Sequence, residues 1–209
     1  MPRQADGDPL GVRATLADLL GPGSGGTCLE IGCGTGINAD QIRGLGWTPV
    51  GVDISAGMLR HARGRLLSAR ADAARLPIAD DAVDAVVSIM AHTDLPGYPA
   101  VLREAARVLR PGGVLVHVGV HPCFCGGFAD RADADAIVIR PGYRDGRWTR
   151  HSWTDQGVRD KVGAHHWPLP DLLNAFLAAG LTAERFAEGG SPTPIVLGVR
   201  ALAQRSGTT

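Results

Sequence analysis

At 209 residues, 44% of them hydrophobic, the chain is long and apolar enough for one domain with a sizeable core. Its 21 basic residues balance 21 acidic ones, which excludes a net field drawing it to nucleic acid or to a membrane surface. No apolar run approaches the roughly 20 residues that span a bilayer. The polar start, Met1–Pro9, lacks a signal-peptide core, so a cytosolic protein is expected.

Residues 1–9 read as loose. Val12–Leu20 puts Leu16, Leu19 and Leu20 on one side and stops at Gly21-Pro22-Gly23, the pattern of a short amphipathic helix. Gly25–Ile31 reads as the first strand. It runs into Cys28-Leu-Glu-Ile-Gly-Cys-Gly-Thr-Gly36, an apolar run that ends in three glycines spaced two apart. Glycines tolerate positive φ and let a ligand lie against bare backbone. A helix from about Ile37 to Leu45 would point its free N–H groups at that ligand. Thr48–Val52 is the second strand and ends at Asp53. Ser55 suits the cap of a helix over Ala56–Leu67.

Ala69–Ala71 reads as a weak third strand, followed by Asp72-Ala73. Val83–Ile89 is the fourth strand, Tyr98–Leu109 a helix, and Val114–Val120 the fifth strand. The alternation implies a parallel, doubly wound sheet. It breaks over residues 121–167, which hold Phe124, Phe128, Tyr143, Trp148, Trp153 and Trp167 together with His121, His151, His165 and His166. A loop this long inside a compact domain is usually functional. Leu169–Ala179 restores helical spacing, and Leu181–Phe186 and Ile195–Leu202 read as a closing antiparallel pair. The whole is expected to be one domain. Its fold class is α/β: a Rossmann-like, doubly wound, seven-stranded sheet, mostly parallel with an antiparallel last strand.

The spacing of the glycines separates two nucleotide readings. A dinucleotide fingerprint needs G-x-G-x-x-G, and the position it requires is Ile37. The pattern present, Glu30-x-Gly32-x-Gly34-x-Gly36, resembles motif I of the class I S-adenosylmethionine-dependent methyltransferases. The resemblance extends over about residues 25–120. It takes in Gly51-Val52-Asp53-Ile54-Ser55, Asp72-Ala73, Val83-Asp84-Ala85-Val86-Val87-Ser88, and Arg107-Val108-Leu109-Arg110-Pro111-Gly112-Gly113. The subgroup includes quinone-biosynthesis and natural-product methyltransferases. The resemblance implies S-adenosyl-L-methionine as cofactor, held by the turn at Gly32, Cys33, Gly34 and Gly36. Glu30 and the Gly32 and Ser88 backbones would surround its methionine portion, and a helix near the N-terminus would cover its mouth.

The residues themselves agree with that reading. Asp53, at the carboxyl end of the second strand, can accept both ribose hydroxyls. Asp72 can accept the adenine amino group while the next backbone N–H, at Ala73, meets a ring nitrogen. Ile54 and Met58 can sandwich the adenine, although both equally suit a core. Methyl transfer is an in-line displacement that works largely by positioning. A base is needed only when the acceptor keeps its proton, and histidine is the usual one. Candidates are His92 after the fourth strand, His121 after the fifth, and His166 before the last helix; each equally suits a structural hydrogen bond. His166-Trp167-Pro168-Leu169 resembles the subgroup's His-Arg-Pro-Leu, with Trp167 replacing the Arg.

Cys28, Cys33, Cys123 and Cys125 form no paired zinc pattern, and a reducing cytosol argues against disulfides, so neither metal nor disulfide is expected. Segment 121–167 is expected to be a substrate cap. The expected partner is a small, aromatic or apolar methyl acceptor, with O-methylation favoured over C- or N-methylation. An RNA- or protein-modifying enzyme is an alternative, for which Arg60, Arg63, Arg65 and Arg70 are the local basic cluster. A cofactor-binding protein without methyl transfer is another.

Overall fold

The computed structural model describes residues 7–133, 136–150 and 158–204; His151 and Trp153 of the aromatic-rich segment lie outside them. The chain runs through α1 (Val12–Leu20), β1 (Thr27–Ile31), α2 (Ala39–Gly44), β2 (Thr48–Asp53), α3 (Ala56–Ala62), β3 (Leu67–Arg70) and β4 (Val83–Ile89). A 3-10 turn at His92–Asp94 leads to α4 (Tyr98–Val108) and β5 (Leu109–Val120). Short strands β6 (Ala129–Asp130), β7 (Val138–Ile139) and β8 (Trp148–Thr149) follow, then helix α5 (Val158–Val162) and β9 (Ala164–His165). The chain closes with α6 (Leu169–Ala178), β10 (Leu181–Gly189) and β11 (Val196–Ala203).

The main sheet has seven strands in the order β10-β11-β5-β4-β1-β2-β3. β1 to β5 pair in parallel, and the last strand, β11, runs antiparallel to both its neighbours. Side chains alternate across it as the two-residue period requires. Leu29, Val86 and Leu115 point to the face covered by α4 and α6, among Leu102, Leu172 and Phe176. Cys28, Ala85, Val87 and Val116 point to the other face, against Leu16 and Leu19 of α1 and Ile42 of α2. Both faces are covered, as parallel sheets require.

Several elements depart from the sequence reading: β3 is Leu67–Arg70 rather than Ala69–Ala71, and β5 begins at Leu109 rather than Val114. Helix α3 ends at Ala62 rather than Leu67, because Gly64 takes φ +83° and turns the chain into β3. Helix α1 was expected over the cofactor mouth. It lies instead on the sheet, with Leu16, Leu19 and Leu20 in the core. There Arg200 Nη1 of β11 donates to its Leu19 carbonyl at 2.7 Å.

Candidate active site

Beyond β1 the chain turns through Gly32, Gly34 and Gly36, at φ +70°, +53° and +71°. The three glycines serve different ends. A Cβ on Gly36 would fall 2.4 Å from Leu66 Cδ2, so Gly36 is bare for packing. A Cβ on Gly34 would meet no atom within 4 Å. Gly34 lines a cavity of about 370 Å³ at the carboxyl ends of β1, β2 and β4. That is the edge where open α/β sheets bind ligands.

Gly32, Asp53, Ile54, Met58, Asp72 and Ala73 line the same cavity. Asp53 Oδ2 accepts the Gly34 N–H at 2.8 Å and Oδ1 accepts the Ser55 N–H at 2.7 Å. The carboxylate therefore braces the glycine turn as well as bordering the cavity. Ser55 Oγ caps α3 by accepting the Met58 N–H. Ile54 and Met58 are 65% and 48% exposed, an apolar ledge suited to a flat ring. The loop carrying Asp72 and Ala73 is anchored by Arg107. Its guanidinium donates to the Leu76 and Ile78 carbonyls and pairs with Glu104 and Asp80.

Glu30, Cys33, Gly36 and Ser88 do not line this cavity. Cys33 packs beneath the turn, where a Cβ on Gly51 would fall 2.6 Å from its Sγ. Burial pushes its thiol up to about 12. Glu30 is 1% exposed. Its Oε1 accepts from Asn38 Nδ2 at 2.7 Å, and its Oε2 is buried without a partner. Burial pushes the carboxyl from 4.5 up to about 7, with Asn38 opposing and the Asp53 charge adding to the rise. A cationic group brought to Oε2 would offset that cost. The open face of Gly34 and the apolar ledge border the cavity, while the orphaned Glu30 oxygen lies buried outside its lining. Met90, also at this edge, holds φ +53° without being glycine, strain of the kind that collects at functional sites.

A second cavity, of about 450 Å³, lies at the ends of β4 and β5. Its walls are Phe128, Trp148, Trp167, His165 and His166 from the aromatic-rich segment, together with His92 and Thr93. The turn after β4 divides the two cavities. Ala91, Asp94 and Leu95 face the first, while His92 and Thr93 face the second. Arg159 of α5 holds that turn, pairing with the Asp94 carboxylate and donating to Thr93 Oγ1 at 3.1 Å.

The three expected histidines are placed differently. His166 Nε2 lies 2.7 Å from the Tyr143 carbonyl, so that nitrogen donates and Nδ1 keeps its lone pair. His92 is 2% exposed, with Nδ1 buried and unpartnered. His121 lines neither cavity. Its Nε2 meets Glu188 Oε1 at 2.9 Å and its Nδ1 accepts the Cys123 N–H at 3.2 Å. With both nitrogens engaged it ties the end of β5 to β10. Burial lowers the pKa of all three below the ordinary 6.5. Tyr98 and His117, buried beside His92, were not singled out in the sequence. His117 lies inside the apolar run of the fifth strand.

Residues 29–117 match the family described as a methyltransferase domain. A demethylmenaquinone methyltransferase of Mycolicibacterium paratuberculosis is 39% identical over 105 residues, 50% of this chain and 46% of the relative. Methyltransferase GfsG of Streptomyces halstedii is 39% identical over 123 residues, 52% of this chain and 44% of the relative. The chain thus spans about half the length of the curated relatives it matches. An S-adenosylmethionine-dependent methyltransferase of Mesorhizobium loti shares the fold, with a TM-score of 0.73 at 24% identity, over 91% of this chain and 95% of that one. Strand order, glycine turn and family match agree: residues 29–117 match a methyltransferase domain, and the chain shares its fold with S-adenosylmethionine-dependent methyltransferases.

Proposed function

We propose that the protein transfers a methyl group from S-adenosylmethionine to a small aromatic or apolar acceptor, with oxygen the favoured target. The observation that carries this reading is the shared wall. A cavity bordered by the glycine turn and an aromatic cavity meet across one short turn, His92–Asp94. S-adenosylmethionine supplies a methyl group on positively charged sulfur. Asp53 would hold its ribose, Asp72 and the Ala73 N–H its adenine edge, and Ile54 and Met58 the adenine faces. Glu30 and the Gly32 and Ser88 backbones would hold its methionine end.

In this reading segment 121–167 is the substrate cap. Trp148, Trp167 and Phe128 supply flat apolar walls, as small-ligand pockets usually do. The charged lining residues Asp145 and Arg147 pair with each other at 3.4 Å, which favours an uncharged acceptor. The relative named for demethylmenaquinone supports a ring-bearing acceptor. Oxygen is favoured because His166 offers a neutral lone pair that can take a hydroxyl proton. The basic cluster gives little support to an RNA substrate. Arg65 and Arg70 donate to the backbone carbonyls of Thr35 and Ile54, not to an open stripe.

The test offers methyl-labelled S-adenosylmethionine with a panel of phenols and quinols, and with RNA and protein in parallel. Label is expected in a ring compound. Label in the macromolecules, or tight cofactor binding with no transfer to any acceptor, would sink the reading.

A further inference from the structure

Tyr143 lines neither cavity, yet it grips the chain that carries His166 at two points. Its backbone carbonyl accepts from His166 Nε2 at 2.7 Å. Its hydroxyl, at the far end of the side chain, accepts the Leu169 N–H at 2.9 Å. His166 and Leu169 are three residues apart, so one residue clips both ends of the stretch between them. The same hydroxyl meets Cys123 Sγ at 3.8 Å, which ties in the start of the aromatic-rich segment as well.

The sequence leaves a vacancy for that hydroxyl. A helix begins with N–H groups that have no partner inside it. The residue capping α6 is Pro168, which makes no side-chain capping bond. The Tyr143 hydroxyl supplies the missing acceptor from across the segment. A phenylalanine would fill the same space and leave the Leu169 N–H unmet.

The clip also fixes the His166 ring. Phe128 and Tyr143 pack on it, with ring centroids at 4.7 and 5.5 Å and tilts of 58° and 60°. The His166 N–H donates to the Arg147 carbonyl at 3.2 Å, which holds its backbone. A carbonyl can only accept, so Nε2 carries the proton of the neutral ring and Nδ1 the lone pair. Among the described residues nothing hydrogen-bonds to Nδ1, and it is not one of the polar atoms buried without a partner. With Nε2 tied to a residue outside the cavity, Nδ1 is the nitrogen left for a ligand in the cavity that His166 lines.

We propose that Tyr143 is a positioning residue, which holds His166 with Nδ1 bare toward a hydroxyl-bearing acceptor only while residues 141–147 are seated on the start of α6. The inference rests on the reading that the larger cavity takes the acceptor. A neutral imidazole without a fixed partner exchanges its proton between the two nitrogens, and a ring protonated at Nδ1 cannot take the hydroxyl proton there. Seating of the segment and readiness of the base are thus one event.

The test is ¹⁵N NMR of histidine-labelled full-length protein at mildly alkaline pH, where the ring is neutral. It needs no acceptor and no methyl transfer, and the His166 signal is assigned by its loss in His166→Gln. The wild type is expected as a single Nε2–H tautomer. Tyr143→Phe, which removes the anchor on α6 and keeps the carbonyl, should turn that signal into a mixture of tautomers while S-adenosylhomocysteine affinity, read by calorimetry, stays unchanged. His166 found as Nδ1–H in the wild type, or as a single Nε2–H tautomer in a folded Tyr143→Phe, would overturn the inference. So would a Tyr143→Phe protein that loses the cofactor product as well, since the hydroxyl would then support the fold at large. If Tyr143→Phe does not fold, the wild type decides: scalar coupling across the bond from His166 Nε2 to the Tyr143 carbonyl sustains the inference, and its absence overturns it. Failure of the wild type to bind S-adenosylhomocysteine would sink the proposed function while leaving these spectra unaltered.

Discussion

Replacing Glu30 by Gln removes a buried charge while keeping the side-chain shape. The Gln carbonyl oxygen can still accept from Asn38. In the wild type the carboxyl titrates near 7 instead of 4.5, because burial disfavours the charged form. The native state thus binds more protons than the unfolded chain between those values. Stability is full below about pH 4.5 and declines as pH rises toward 7. At about 1.36 kcal/mol per pH unit, the loss at pH 8 is about 3 kcal/mol. Gln carries no such loss.

Urea unfolding of both proteins without cofactor, from pH 4 to 8, should show the stability difference widening by about 3 kcal/mol in favour of Glu30→Gln. In melting temperature this is roughly 6–12 °C. Cofactor affinity should move the other way, since the variant has no carboxylate to meet an amine. A stability difference independent of pH would refute the reasoning, because Glu30 would then titrate as an ordinary surface carboxyl.

Asp53→Ala should weaken binding of S-adenosylhomocysteine and also lower stability, because the carboxylate accepts two backbone N–H groups. Bonds of this charged kind contribute on the order of 1.5–3 kcal/mol each, and calorimetry with thermal melts separates the two effects. An unchanged melting temperature would mean that the glycine turn holds itself. His166→Gln should lower turnover by about 10²–10⁴-fold with cofactor affinity unaltered, measured by single-turnover kinetics. The base must be neutral and its pKa is depressed, so the wild-type rate should fall only as pH drops below the ordinary 6.5. An acid limb at or above 6.5 would assign the base elsewhere.

The glycine turn was legible because its backbone angles admit few other residues. Gly34 and Gly36 look alike in sequence, yet only the fold shows that one borders open space and the other Leu66. Asp53 was readable from its place after an apolar run, but its grip on the Gly34 N–H was not, since that turn closes only when β1 pairs with β2. His121 looked like a site residue from its position after β5. Its partner Glu188 lies 67 residues on, too far for local pattern to reveal. His117 and Tyr98 were not singled out, because they come together only when α4 covers β5. Segment 121–167 announced itself by its aromatics, but β6 to β9 are two residues each, too short for any period to show.

Binding of S-adenosylhomocysteine to the wild type and to Gly34→Val, followed side by side by calorimetry, tests the central claim most directly. The added side chain meets no protein atom at its Cβ, so steric conflict within the empty protein is small there. The backbone at φ +53° costs a substituted residue about 1–2 kcal/mol, which a folded variant can tolerate. If the cofactor lies across Gly34, the wild type should bind one equivalent and a folded Gly34→Val none. Undiminished binding by the variant, or no binding by the wild type, would contradict the assignment of this cavity to the cofactor.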